Sequence, residues 1–278
     1  MKSNIAITFL LLQSLSIVTA DTFTINGKTL TVPAPKGFVR VTDDMSAVIR
    51  LAQQLADADP YNDTLAYYIK ESDVPTAMEG DIPGLEKTFI LKVNKKMRNM
   101  TIGKDFFSQF KSMTKSQNQQ IFEDVKAQIP KHMKNMSQGM SQEFNIDFAI
   151  NISQMVPLET HYEAENALAF SMYINYGFSD GGEHLEEIIS ATTTFLNASG
   201  SVLFLYGYAP KDDLQWTRDS SMNWAESVVA SNSQPPAKSP RRGIDWNKVM
   251  EKGFVGAIVG GLFALLAGAA TIFKRKKG

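Results

Sequence analysis

Residues 254–273, FVGAIVGGLFALLAGAATIF, make an unbroken run of twenty uncharged residues, followed by Lys274-Arg275-Lys276-Lys277-Gly278. As a helix rising 1.5 Å per residue the run spans about 30 Å, the thickness of a bilayer's hydrocarbon core. It reads as a transmembrane helix. The basic tail marks the cytoplasmic end by the positive-inside rule, which puts the bulk of the chain on the far side. Trp246 suits the outer interface, and Lys238, Arg241, Arg242, Lys248 and Lys252 stand where lipid head groups are within reach. Gly256, Gly260, Ala264 and Gly268 recur every fourth residue. Small residues along one helical stripe let two backbones approach closely in lipid, so the pattern predicts a homodimer packed through this helix.

The opposite end carries the matching signal. Residues 1–20, MKSNIAITFLLLQSLSIVTA, combine Lys2, an apolar stretch from Ile5 to Val18, and compact residues before a cleavage point after Ala20. That is the pattern of a secretory signal peptide. The domain plan is therefore a signal at 1–20, an extracytoplasmic domain at 21–232, and a Pro-containing linker and juxtamembrane stretch at 233–253. A span at 254–273 and a tail at 274–278 complete it.

The chain has no cysteine, which excludes a disulfide framework, thiol catalysis and cysteinyl metal sites. Leaving out the signal's lysine and the four basic tail residues, 23 basic residues face 29 acidic ones, a net charge of −6. Such a domain is a poor partner for nucleic acid. Export without cysteine, with a C-terminal anchor, predicts the periplasmic side of a bacterial inner membrane. Five Asn-x-Ser/Thr sequons are present and carry glycan only in a eukaryotic secretory pathway.

Within the domain, Phe23 to Val32 reads as a hairpin turning at Asn26-Gly27. A helix capped by Asp43 or Asp44 runs to about Asp59. Leu65–Ile69 and Thr88–Val93 are strands. From Lys104 to about Gln142 the apolar period is helical, and Pro130 should kink or split it. Ile146–Ile152 and Leu168–Tyr176 alternate as strands, and Gly181-Gly182-Glu183-His184 reads as a loop opening a helix. Thr192–Tyr208 is a second hairpin, whose returning strand Val202–Tyr206 is apolar on both faces and so central. Asp212 or Asp213 caps a last helix with Leu214, Thr217, Ser221, Trp224 and Val228 on one face. The expected fold is α/β (α+β): a three-layer α/β/α sandwich with a mainly antiparallel sheet, plus the C-terminal span.

Pro35-Lys36-Gly37-Phe38 after the opening hairpin, and the apolar hairpin leading into Asp213-Leu214-Gln215-Trp216-Thr217-Arg218, resemble the PsbP-like group, which includes the Ran-binding Mog proteins. The resemblance is densest over residues 190–231. It implies the same sandwich and a binding or accessory role, and it assigns no functional residue.

No nucleophile elbow, phosphate-binding loop, dinucleotide-binding glycine run or zinc-protease motif occurs, and no cofactor is implied. Two constellations remain. On an extended strand Glu159, His161, Glu163 and Glu165 share one face, a set able to hold a divalent metal or to do acid–base work in a metal-dependent hydrolase. On a helix Met133, Met136 and Met140 fall at i, i+3 and i+7, with His132 one turn before Met136. These are soft donors suited to Cu(I). Their ordinary roles are a solvated strand face and a methionine-packed core. The leading expectation is a non-catalytic, membrane-anchored periplasmic binding or accessory protein with a protein partner. Cu(I) handling through the methionine helix and hydrolysis around His161 are the alternatives.

Overall fold

Asn26 and Gly27 both take positive φ, 51° and 69°. That closes the two-residue turn between β1 (Ala20–Ile25) and β2 (Lys28–Pro33) and turns Ile25, Leu30 and Val32 into the core. The computed structural model describes residues 20–180, 182–232 and 246–261, with backbone alone at 117–122, 124, 183, 246–252 and 254. The signal up to residue 19, the linker 233–245, the rest of the apolar run and the basic tail lie outside the described residues.

The main element is a seven-stranded sheet in which every neighbouring pair is antiparallel. Its strands are β3 (Phe38–Arg40), β4 (Asn62–Lys70), β5 (Thr88–Asn94), β6 (Phe148–Ala164), β7 (Ala167–Asp180), β8 (Glu183–Ala198) and β9 (Ser201–Pro210). Spatial order is β3-β4-β5-β9-β8-β7-β6. The two-faced apolar strand β9 is thus central, as its composition requires, and all its residues but Pro210 are buried.

One face carries α1 (Ser46–Asp57), α3 (Lys104–Lys126), α4 (Ile129–Phe144) and α6 (Trp246–Gly261); the short α2 (Val74–Met78) packs beside α1. The other face carries α5 (Leu214–Ser231) together with the β1–β2 hairpin. Trp224 of α5 ties these two together, donating from its indole Nε1 to the Pro33 carbonyl at 2.9 Å and meeting Phe89 and Tyr68 edge-on.

Three local expectations need correction. Residues 183–191 are strand, not a loop opening a helix, because β8 pairs with β7 from Asp180↔Glu183 onward. The N-cap of α1 is Met45, with no side-chain cap bond, so neither Asp43 nor Asp44 caps it. Asp213 does sit at the N-cap of α5, but its side chain makes no cap bond either. The helical stretch from Lys104 divides as its proline requires: α3 ends at Lys126, and Pro130 lies in the first turn of α4, where a missing N–H costs nothing.

At Gly207 of β9, α5 lies tight against the sheet. A Cβ there would lie 2.6 Å from Ser221 Oγ and 2.8 Å from a Phe89 ring carbon. Gly207→Ala is expected to lower stability by about 1–3 kcal/mol through overpacking, read as a fall in Tm on thermal unfolding.

Candidate functional site

The methionines of α4 face inward. Met133, Met136 and Met140 are each buried among the apolar residues between α4 and the sheet. His132 stands beside them, half-buried, its ring 6.2 Å from that of Tyr61 and its pKa lowered chiefly by burial. The thioethers fill core volume.

The second constellation is divided by the backbone. The β6–β7 register shifts between Pro157 and Thr160 and again between Thr160 and Tyr162, so the alternation of side chains is broken at His161. His161 joins the α5 face, where its Nδ1 lies 3.5 Å from Ser171 Oγ. Glu163 is on the α3 side, paired with Lys115 at 2.8 Å and Lys111 at 3.3 Å; Lys115, by its hydrogen bond, is the main reason its carboxyl pKa is lowered. Glu165 pairs with Lys104, and Glu159 is exposed. Among the described residues no three His, Asp or Glu side chains come together as a metal site.

Burial, reinforced by the Arg218 guanidinium and opposed in part by Asp219, lowers the His161 imidazole to about 4. Arg218 also donates from Nε to Ser171 Oγ at 3.3 Å. A cation is disfavoured beside that guanidinium. Ser171 is fully buried and shares a hydrogen bond with Thr192 at 2.9 Å, so its hydroxyl is closed to a substrate. His184 lies on the rim of an open cleft of about 510 Å³ between α4 and the ends of β6 and β7, with Met133, Ile150, Asn151 and Phe178 among its lining.

The densest buried polar chemistry lies elsewhere, on the central strands beneath α6. Lys92 of β5 and Asp59, just past α1, are both fully buried and meet at 2.9 Å. Asp59 Oδ1 also accepts from the amides of Tyr61 and Asn62 at 3.0 and 3.1 Å, which bends the chain into β4. Asn62 Nδ2 donates to Asp59 at 2.9 Å and to the Gly256 carbonyl at 2.7 Å, while Asn94 donates to Asn62 at 3.3 Å. Lys92 Nζ reaches the Gly260 carbonyl at 3.2 Å. The Tyr206 hydroxyl donates to Ala257 O at 2.9 Å and that of Tyr208 to Gly261 O at 3.2 Å. Burial raises both phenols well above their ordinary pKa, so they remain protonated donors.

These donors require a helix without side chains on that face. A Cβ at Gly256 would lie 2.5 Å from Asn94 Nδ2, and one at Gly260 would lie 2.6 Å from Asn62 Nδ2 and 2.7 Å from the Tyr206 hydroxyl. Gly256 and Gly260 of the expected interhelical stripe therefore face the sheet of their own chain, whereas Ala264 and Gly268 lie outside the described residues. Among the described residues no helix is long and apolar enough to cross a membrane. Sequence reasoning passed over this site, although Lys92 was its visible sign: one charge inside the apolar strand TFILKVN.

No protein-family profile and no curated protein sequence matches the chain. Among solved structures, the Ran-binding protein Mog1p of Saccharomyces cerevisiae is similar at a TM-score of 0.28 and 7% identity, covering 77% of this chain and 93% of that one. The likeness is a weak one, to a Mog-like fold.

Two measurements check this site. Lys92→Met strands a buried carboxylate and is expected to cost about 3–5 kcal/mol, whereas Lys92→Met with Asp59→Leu should cost less than the sum of the two single changes. Denaturant unfolding of the four proteins gives the coupling. The lowered His161 pKa means the unfolded chain binds the extra proton first. Its contribution is whole above pH 6.5 and is lost as pH falls toward about 4. The Tm of His161→Gln is expected to fall less steeply than wild type across that window.

Proposed function

We propose that the chain is a non-catalytic binding module held on the periplasmic side of a bacterial inner membrane by its C-terminal apolar segment. The observation that carries this reading is the use made of the sheet's polar cluster. Asn62, Lys92, Tyr206 and Tyr208 all donate to the backbone carbonyls of a glycine-rich helix. That is recognition chemistry: an array of donors matched to a row of acceptors. The patterns at the two ends of the sequence support export and anchoring.

The alternative chemistries draw less support from the same geometry. A Cu(I) site would have to pull three core methionines out of their packing, and a hydrolytic metal site at His161 would need carboxylates that are instead paired with Lys104, Lys111 and Lys115. The full chain titrated with Cu(I) and with Zn(II) should bind neither stoichiometrically. Met133, Met136 and Met140 changed together to Leu should leave that result unaltered, as should His161→Gln. Stoichiometric metal in the wild type that is lost in either variant would overturn this reading in favour of the matching alternative.

A further inference from the structure

We propose that the sheet groove around Lys92 is a binding site for a glycine-rich apolar helix. The chain's own C-terminal segment fills this site and vacates it on entering a bilayer. The proposal rests on reading that segment as a membrane anchor, and it adds that docking and spanning exclude each other.

The site is built for a helix face. Gly253, Gly256, Ala257, Gly260 and Gly261 recur at i, i+3, i+4, i+7 and i+8, so they form one face of α6. Four of them present carbonyls to Asn62, Lys92, Tyr206 and Tyr208. The groove keeps one more polar group: the Thr193 hydroxyl is fully buried, has no hydrogen-bond partner among the described residues, and lies 3.4 Å from where a Gly261 Cβ would be.

Exclusion follows from length. The apolar run has twenty residues, of which 254–261 belong to the docked helix. The twelve that follow reach about 18 Å as a helix, well short of the roughly 30 Å of hydrocarbon to be crossed. A docked helix cannot also span.

Ala257, Ile258 and Val259 are excluded from water in the docked state, as they would be in lipid. The helix therefore keeps its own apolar burial on leaving the groove, and the cost of the exchange falls on the groove wall, where Met97, Phe110, Tyr206 and Tyr208 lose their cover. Lys92 and Asp59 lose their cover but regain hydration, and a buried ion pair is nearly balanced against its solvated form. In the bilayer the stripe of Gly256 and Gly260 is free to pack against a second helix, so self-association and docking compete for the same face.

The absence of cysteine makes a clean test available. The full chain carrying Thr193→Cys is treated with a maleimide reagent, with and without vesicles of phosphatidylethanolamine and phosphatidylglycerol, and vesicle binding is scored by flotation. Ser171→Cys, equally buried but beneath α5, is the control. The expected result is co-flotation, labelling of Thr193→Cys accelerated about tenfold or more by vesicles, and Ser171→Cys protected throughout. Co-flotation with Thr193→Cys still protected would overturn the exchange and leave the anchor standing. Failure to float would overturn the anchor reading itself. Equal labelling of Thr193→Cys without vesicles, or labelling of both cysteines, would overturn closure of the groove by α6.

Discussion

The Lys92–Asp59 ion pair sets the terms for one whole face of the sheet. Two charges with no access to water are tolerable only when each is paired and its remaining hydrogen-bonding capacity is filled. Asp59 meets that demand by accepting from two backbone amides and from Asn62 as well as from Lys92, and in doing so it fixes the turn from α1 into β4. Lys92 meets it through Asp59 and a carbonyl of α6. The helix that covers the pair must therefore bring carbonyls rather than side chains, which is why glycines line it.

The two faces are closed by different means. Against α5 the contacts are aromatic and tightly fitted: Trp224 over Phe89 and Tyr68, Phe38 edge-on to Phe89, and Lys87 over the Trp216 ring at 4.5 Å. Asn232 at the end of α5 exchanges hydrogen bonds with both backbone groups of Thr31, fastening the opening hairpin to that helix. Against α6 the directional contacts are hydrogen bonds to main-chain oxygens. The first kind of contact fixes an element through shape; the second fixes it through main-chain oxygens that any side chain on that face would block.

What could be read from sequence was what local chemistry decides. Asn26-Gly27 announces its turn, Pro130 its helix break, and the unrelieved apolar run Val202–Tyr206 its central place, because each depends on φ, a missing donor or burial on two faces. The shared face expected for His161, Glu163 and Glu165 failed because register shifts in β6 have no residue signature; they arise from pairing with β7. The first half of β8 was hidden behind Gly181 and Gly182, whose composition signals a turn while leaving the next element open. The site beneath α6 was half legible. A lysine in an apolar strand was in plain view, but its carboxylate lies 33 residues away and the carbonyl it reaches 168 residues away. Nothing local links them.

The sheet also has two margins, and both are poor templates for another strand. At one, β3 pairs over only three residues. At the other, β6 is long but carries register shifts and Pro157, which interrupt the even row of amides and carbonyls that strand addition needs. Neither margin therefore offers the flat, continuous row of backbone donors and acceptors along which the sheets of neighbouring copies would join.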